Sequence, residues 1–219
     1  ADADILGNGQ QAARGFDAGI AEGHAVTFAS GMAVGGLLPV FAVYSSFLQR
    51  GYDMLVQDVS LDNLHVVLGV DRAGLVGADG ETHHGCFDVM YLSQLPHMTV
   101  LCPASFAELR TMLRRAVFHT EGPVAVRYPR GSEGAYKSSA FACDPSGVCV
   151  HREGSDVTLI TYGNLINNVL AAADQLAQAG ISAKVLRLLS ASHIPELKDH
   201  ISGPVVVIEE AAEHSGVKE

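Results

Sequence analysis

The chain has 219 residues, is 48% hydrophobic, and carries 14 basic against 24 acidic side chains for a formal net charge of −10. That is apolar material for one large domain or two small ones, and the acidic balance argues against nucleic acid or an anionic membrane as the main partner. No apolar run reaches the roughly 18 residues of a membrane span, and the opening ADADILGNGQQ is neither a secretory signal nor an Arg/Ser-rich transit peptide, so a bacterial-type cytoplasmic location is expected.

The first informative stretch is Gly19–Val26, GIAEGHAV, which leads into a helix-like run from Val26 to Gly36. It sets one carboxylate, Glu22, among small and apolar residues. Burying an unpaired carboxylate is costly. The choice makes sense for an acid that stays protonated and hydrogen-bonds a ring nitrogen, and the alternative is a solvated Glu at a helix entrance. Strand-like runs follow at Pro39–Tyr44, His65–Val70, Thr99–Cys102 and Val124–Tyr128, each short and almost continuously apolar, as strands covered on both faces are. Between them Phe47–Val59 and Ser105–His119 read as helices, the second opened by the capping-box pair Ser105 and Glu108. This alternation predicts an α/β domain, a parallel sheet with helices on both faces, over residues 1–131.

Residues 132–153, rich in Ser, Gly, Pro and Asp, read as a linker, and residues 154–219 as a second, incomplete α/β domain. In it Val157–Thr161, Ala183–Leu189 and Val205–Ile208 are expected strands. Leu165, Val169, Ala172, Leu176 and Ala177 share one helix face, Gly180 caps that helix, and a short helix is expected near Ile194–Ile201. Cys86, Cys102, Cys143 and Cys149 form no CxxC and read as free thiols, although Cys143 and Cys149 can face each other across a loop.

Arg72 and Arg130 each follow a strand at its carboxyl end, where open parallel sheets bind ligands, and two such guanidinium groups suit one phosphate. A surface ion pair is the alternative for each. Asp79 and His83 lie in GADGETHHG, where glycines allow close backbone approach. Adjacent histidines seldom share one ion, and no third ligand is evident for a metal there. Tyr162-Gly163-Asn164 reads as an ordinary strand–helix turn, and Arg127 as structural.

Four blocks in order, GIAEGHAVTFASGMAVGG, AVYSSFLQRGYD, DRAGLVGADGETHHGCFD and GPVAVRYPRG, resemble the pyrimidine-binding domain of 1-deoxy-D-xylulose-5-phosphate synthases, thiamine-diphosphate enzymes related to transketolase. The likeness runs from about Phe16 to Glu210, and one departure is Gly23, where that family usually has Gln. The resemblance implies that Glu22 hydrogen-bonds the aminopyrimidine of thiamine diphosphate and activates it, and that Phe47 packs on that ring. It implies that Asp79 and His83 meet substrate carbonyls and hydroxyls, and that Arg72, Arg130 and Tyr44 hold the phosphate of glyceraldehyde 3-phosphate. The implied reaction joins that aldehyde to pyruvate with loss of CO2, and its product feeds isoprenoid, thiamine and pyridoxal synthesis.

Such enzymes hold the diphosphate through Mg2+ with a Gly-Asp-Gly signature and a later Asn. Here Ala78-Asp79-Gly80 stands without that Asn spacing, so the metal ligands are expected on an N-terminal diphosphate-binding domain, in cis or in trans. A homodimer is implied, and a chain inactive by itself. Two other readings are a β-type subunit of a 2-oxo acid dehydrogenase or split transketolase, and a non-catalytic truncated relative that acts as a dimer scaffold. Retention of Glu22, His83, Arg72 and Arg130 argues against the last.

Overall fold

The computed structural model describes residues 15–137 and 147–217. The first helix, α1 (Glu22–Val34), begins at Glu22 itself, four residues earlier than the apolar run suggests, and stops at Gly35 and Gly36, the latter at φ +81°. It buries Ala25, Val26, Ala29 and Ser30 along one side. Small residues on that side let the backbone approach its neighbour, and Ser30 Oγ donates to the Asp58 carbonyl at 2.6 Å.

Strand β1 (Val40–Tyr44) turns at once into a helical stretch over residues 45–60. The sequence predicts one helix over Phe47–Val59, but the structure breaks it. It consists of α2 (Ser45–Leu48), a 3-10 turn at Gln49–Gly51, α3 (Tyr52–Met54) and a π-helical turn at Leu55–Ser60. The break falls where α1 crosses: a side chain at Gly51 would meet Val26 at 3.0 Å.

Strands β2 (Val67–Asp71), β3 (Thr99–Leu101) and β4 (Val124–Arg127) complete a four-stranded, all-parallel sheet in the order β1-β2-β4-β3. Every residue of β2 and β4 is buried, which explains why each is apolar up to a charged last residue, Asp71 and Arg127. A six-residue helix that the sequence did not reveal, α4 (Asp88–Ser93), follows the Gly-rich loop. Helix α5 (Phe106–Phe118) buries Glu108, Met112 and Ala116, spaced one helical turn apart. Ser105 caps it by accepting the Glu108 N–H at 3.2 Å, while the Glu108 carboxylate turns back to accept the Ala104 N–H at 2.8 Å. The core gathers Val26, Leu48 and Leu55 over Leu68 and Val70, with Leu92 and Met98 beside them, all at most 2% exposed.

The second unit holds four strands, not three. Strand β5 (Val148–Arg152) lies inside the segment expected as linker and pairs antiparallel with β7 (Ala183–Leu188). Strand β6 (Val157–Tyr162) pairs in parallel with β7 and with β8 (Val205–Val207), giving the order β5-β7-β6-β8. Helix α6 (Ile166–Gln178) buries Ile166, Val169 and Ala173 against Leu159 and Val185, and Gly180 follows it at φ +80°. The expected helix near Ile194–Ile201 is only a 3-10 turn at Lys198–His200. Cys86 and Cys102 are free thiols, but Cys149 is disulfide-bonded, which corrects the reading of four free thiols; Cys143 lies outside the described residues.

The two sheets are tied by a charge pair with no exposed surface on either side chain. Arg187 on β7 donates to Glu108 on α5 at 2.8 and 2.9 Å, to the Tyr136 hydroxyl at 3.2 Å and to His151 Nε2 at 3.1 Å. Every strong donor and acceptor of the pair finds a partner, as a buried ion pair requires. Among the described residues, no helix is long and apolar enough to cross a membrane.

Candidate active site

The carboxyl ends of β1, β2 and β4 deliver Tyr44, Arg72 and Arg130 to one edge of the first sheet. Arg72 takes up the left-handed region at φ +60°, which a non-glycine residue holds only when its surroundings fix it. Asp71, 7% exposed, does much of this. Its carboxylate accepts the Arg72 backbone N–H at 2.6 Å and the Arg72 Nη1 at 2.5 Å. The Arg72 guanidinium then lies 4.0 Å over the Tyr44 ring, a cation–π contact that holds its plane.

The loop after β2 returns in two 3-10 turns, Gly77–Asp79 and Glu81–His83, joined by Gly80 at φ +80°. The first turn places the Asp79 carboxylate between the two arginines, accepting from Arg72 Nε at 3.3 Å and from Arg130 Nη1. The second swings His83 onto the aromatic pair: its ring centroid is 5.1 Å from Phe47 and 6.2 Å from Tyr44, which are 5.5 Å from one another. His83 Nδ1 lies 3.0 Å from Thr82 Oγ1. His84, unassigned by the sequence, accepts the Val76 N–H on its Nδ1 at 3.1 Å and so closes the loop.

Glu22 stands in the first turn of α1, where the helix dipole favours a negative charge. Its side chain is only 11% exposed, and Arg50 Nη1 donates to its Oε1 at 3.1 Å. Arg50 itself is mostly in solvent and rests its guanidinium 5.3 Å over the Phe47 ring. Sequence reasoning missed Arg50, because an exposed arginine on a helix has no distinguishing pattern. The result is one unbroken chain of contacts: Glu22, Arg50, Phe47, then Tyr44 and His83, then Arg72, Asp79 and Arg130. All seven predicted site residues belong to it. Next to it, the hydroxyls of Ser45 and Ser46 are buried without a hydrogen-bond partner.

Two neighbouring residues stand outside this chain of contacts. Arg127 is buried and paired bidentately with Asp88 at 3.0 and 3.1 Å, with the Tyr162 ring 5.3 Å from it. His24 is exposed and stacks on Phe28, ring centroids 6.2 Å apart. At Gly23, a Cβ would lie 2.3 Å from the terminal methyl of Met54, so Gly and Met54 together fill the space a longer residue would need. Among the described residues, no group of three or more His, Cys, Asp and Glu side chains is placed to hold a metal ion.

Residues 5–134 match the transketolase pyrimidine-binding domain and residues 147–219 the transketolase C-terminal domain, so the chain belongs to the transketolase family. Among individual relatives it is similar to the 1-deoxy-D-xylulose-5-phosphate synthase of Chlorobaculum tepidum, 53% identical over 174 residues, which is 78% of this chain and 27% of that protein. It is also similar to that of Dechloromonas aromatica, 48% identical over 205 residues, covering 93% of this chain and 33% of the other. The chain thus spans about a third or less of these relatives. A solved split-gene transketolase, described as an inactive beta4 tetramer, superposes with TM-score 0.80 at 27% identity over 94% of this chain and 68% of its own. A Pichia stipitis transketolase shares the fold with TM-score 0.78 at 16% identity, over 90% of this chain and 31% of its own.

Proposed function

We propose that this chain supplies the pyrimidine-binding half of a thiamine-diphosphate site that condenses pyruvate with glyceraldehyde 3-phosphate to 1-deoxy-D-xylulose 5-phosphate and CO2. The observation that carries this reading is the contact chain that joins the mostly buried carboxylate of Glu22 to the paired guanidinium groups of Arg72 and Arg130. The similarity to 1-deoxy-D-xylulose-5-phosphate synthases supports it.

The residues suit the pyrimidine end of the coenzyme. Glu22 offers a sheltered carboxyl whose single hydrogen bond among the described residues goes to an exposed arginine. Phe47 offers a flat aromatic face beside it, worth about 0.5–1.5 kcal/mol in stacking beyond burial. Thiamine diphosphate, when bound, supplies the nucleophilic carbon and the electron sink for decarboxylation. The chain's own side chains orient and protonate. Glu22 forms the hydrogen bond to the ring nitrogen, and Phe47 fixes the ring plane. His83 is engaged at Nδ1 and serves the substrate oxygens through Nε2. Arg72, Arg130 and Tyr44 receive the phosphate in place of the Asp79 carboxylate, which then turns to substrate hydroxyls. Mg2+ and the diphosphate belong to an N-terminal domain in cis or in trans, within a homodimer.

A split arrangement has its own support in the likeness to the split-gene transketolase. The test is to mix the chain with a diphosphate-binding domain, thiamine diphosphate, Mg2+ and pyruvate, and to offer glyceraldehyde 3-phosphate, glyceraldehyde or a lipoyl peptide. The reading predicts preference for the phosphorylated aldehyde by at least about tenfold, the worth of one charge-assisted hydrogen bond. Preference for the lipoyl acceptor would assign a dehydrogenase β subunit, and no turnover with any of them a scaffold.

A further inference from the structure

Beyond β8 the chain runs back across the first unit, and residues 209–217 lie against the base of the Gly-rich loop. The Ala212 N–H and the Ser215 hydroxyl both donate to the Cys86 carbonyl, at 3.0 and 2.9 Å, and Ser215 is 2% exposed. At the other side of the loop's neck, the Leu75 N–H donates to Glu210 Oε2 at 3.3 Å. Glu210 presses on Gly74 so closely that a Cβ there would lie 2.1 Å from Oε2. Gly74, at φ +79°, exchanges two backbone hydrogen bonds with Gly85, at 2.9 and 2.8 Å, and these close the neck. Gly85 in turn sits against Arg72: a Cβ at Gly85 would lie 2.3 Å from the Arg72 carbonyl.

We infer that Glu210, a residue of the second unit, is a positioning residue for the site: it holds the Gly74–Gly85 neck shut and thereby sets the left-handed backbone at Arg72. The physical chain is short. A non-glycine residue in that region persists only where its surroundings over-determine it. Asp71 fixes Arg72 from before, and the Ala73 N–H bond to the Tyr128 carbonyl at 3.1 Å fixes it from after. The neck completes the set, and from outside the loop Glu210 anchors its Gly74–Leu75 side while Ser215 bonds to Cys86 on the other. Loss of that anchor frees Leu75 and Gly74 to relax and lets the Arg72 guanidinium lose its direction. Asp79 and His83, carried on the same loop, move with it. The catalytic consequence rests on the proposed role of Arg72, whereas the mechanical role of Glu210 does not.

The experiment compares the full chain with its Glu210→Ala, Glu210→Gln and Glu210→Asp variants by amide hydrogen exchange, and titrates each with glycerol 3-phosphate. Glu210→Ala is expected to speed exchange at Gly74, Leu75 and Gly85 by about tenfold or more, as loss of a hydrogen bond to a charged acceptor does. Val67–Val70 should keep their protection, and glycerol 3-phosphate should bind about tenfold more weakly. Glu210→Gln keeps an acceptor oxygen and is expected to recover most of both. If the alanine variant does not fold, Glu210→Asp, one methylene shorter, decides the same question by local acceleration at the neck. Unchanged exchange at Gly74 and Gly85, or acceleration spread equally over Val67–Val70, would overturn the inference. If the unaltered chain fails to bind glycerol 3-phosphate, the phosphate role of Arg72 falls, and the exchange pattern still judges Glu210.

Discussion

Arg130 is 42% exposed and bonds to Asp79, whereas Arg72 is 18% exposed and held by Asp71, Asp79 and Tyr44. The two arginines therefore differ in freedom. Arg130→Ala removes a charge-assisted donor without disturbing the backbone, so KM for the phosphorylated aldehyde should rise about 10- to 100-fold with kcat changed little. Steady-state kinetics with the phosphorylated and unphosphorylated aldehydes check this, since only the first should respond. These residues were legible because they stand at strand ends or between glycines in four ordered blocks. Arg50 was not, because its meaning lies in a contact with Glu22 across 28 positions of sequence. Asp71 was equally hidden: it lies one residue past the strand read as His65–Val70 and reveals itself only through its bonds to Arg72.

At the scale of elements, the central strands β2 and β4 were readable because burial on both faces leaves nearly continuous apolar runs. Strand β5 escaped notice because only Val148 and Cys149 of VCVHR are buried and the strand follows a Ser/Gly/Pro segment. Helix α4 is too short for a period to show. The broken helix over residues 45–60 answers to a tertiary cause, the close crossing of α1 at Gly51. The neck of the Gly-rich loop has a similar origin. Gly85→Ala would bring a methyl within 2.5 Å of Ser45 Oγ as well as 2.3 Å of the Arg72 carbonyl. Backbone cannot yield as a flexible side chain does, so the substitution should cost about 1–3 kcal/mol in a denaturant titration. Wild-type stability would show that the loop is free to shift.

For the molecule as a whole, the Glu108–Arg187 pair joins the two units through a fully buried contact. Arg187→Ala strands a buried carboxylate and should destabilise the chain by about 3–5 kcal/mol, while Glu108→Leu with Arg187→Met should cost far less. Paired denaturant titrations measure the difference. His151 accepts from Arg187, and burial first, then the adjacent guanidinium, lower its pKa from the usual 6.5. A lowered pKa means that the unfolded chain binds the proton more readily. Its contribution is therefore intact above pH 6.5 and fades as the pH falls below it, and a His151→Asn variant should lose that part of the stability profile. Both effects act on the framework that keeps the second sheet, and with it residues 209–217, against the first. The most direct test of the central claim, that the sheltered carboxyl of Glu22 activates a coenzyme closed over by another domain, is turnover of Glu22→Gln. It is measured in the mixture with the diphosphate-binding domain, thiamine diphosphate, Mg2+, pyruvate and glyceraldehyde 3-phosphate. The account predicts a fall in kcat of about 10²–10⁴-fold or more with an unchanged unfolding transition; turnover equal to that of the unaltered chain would contradict it.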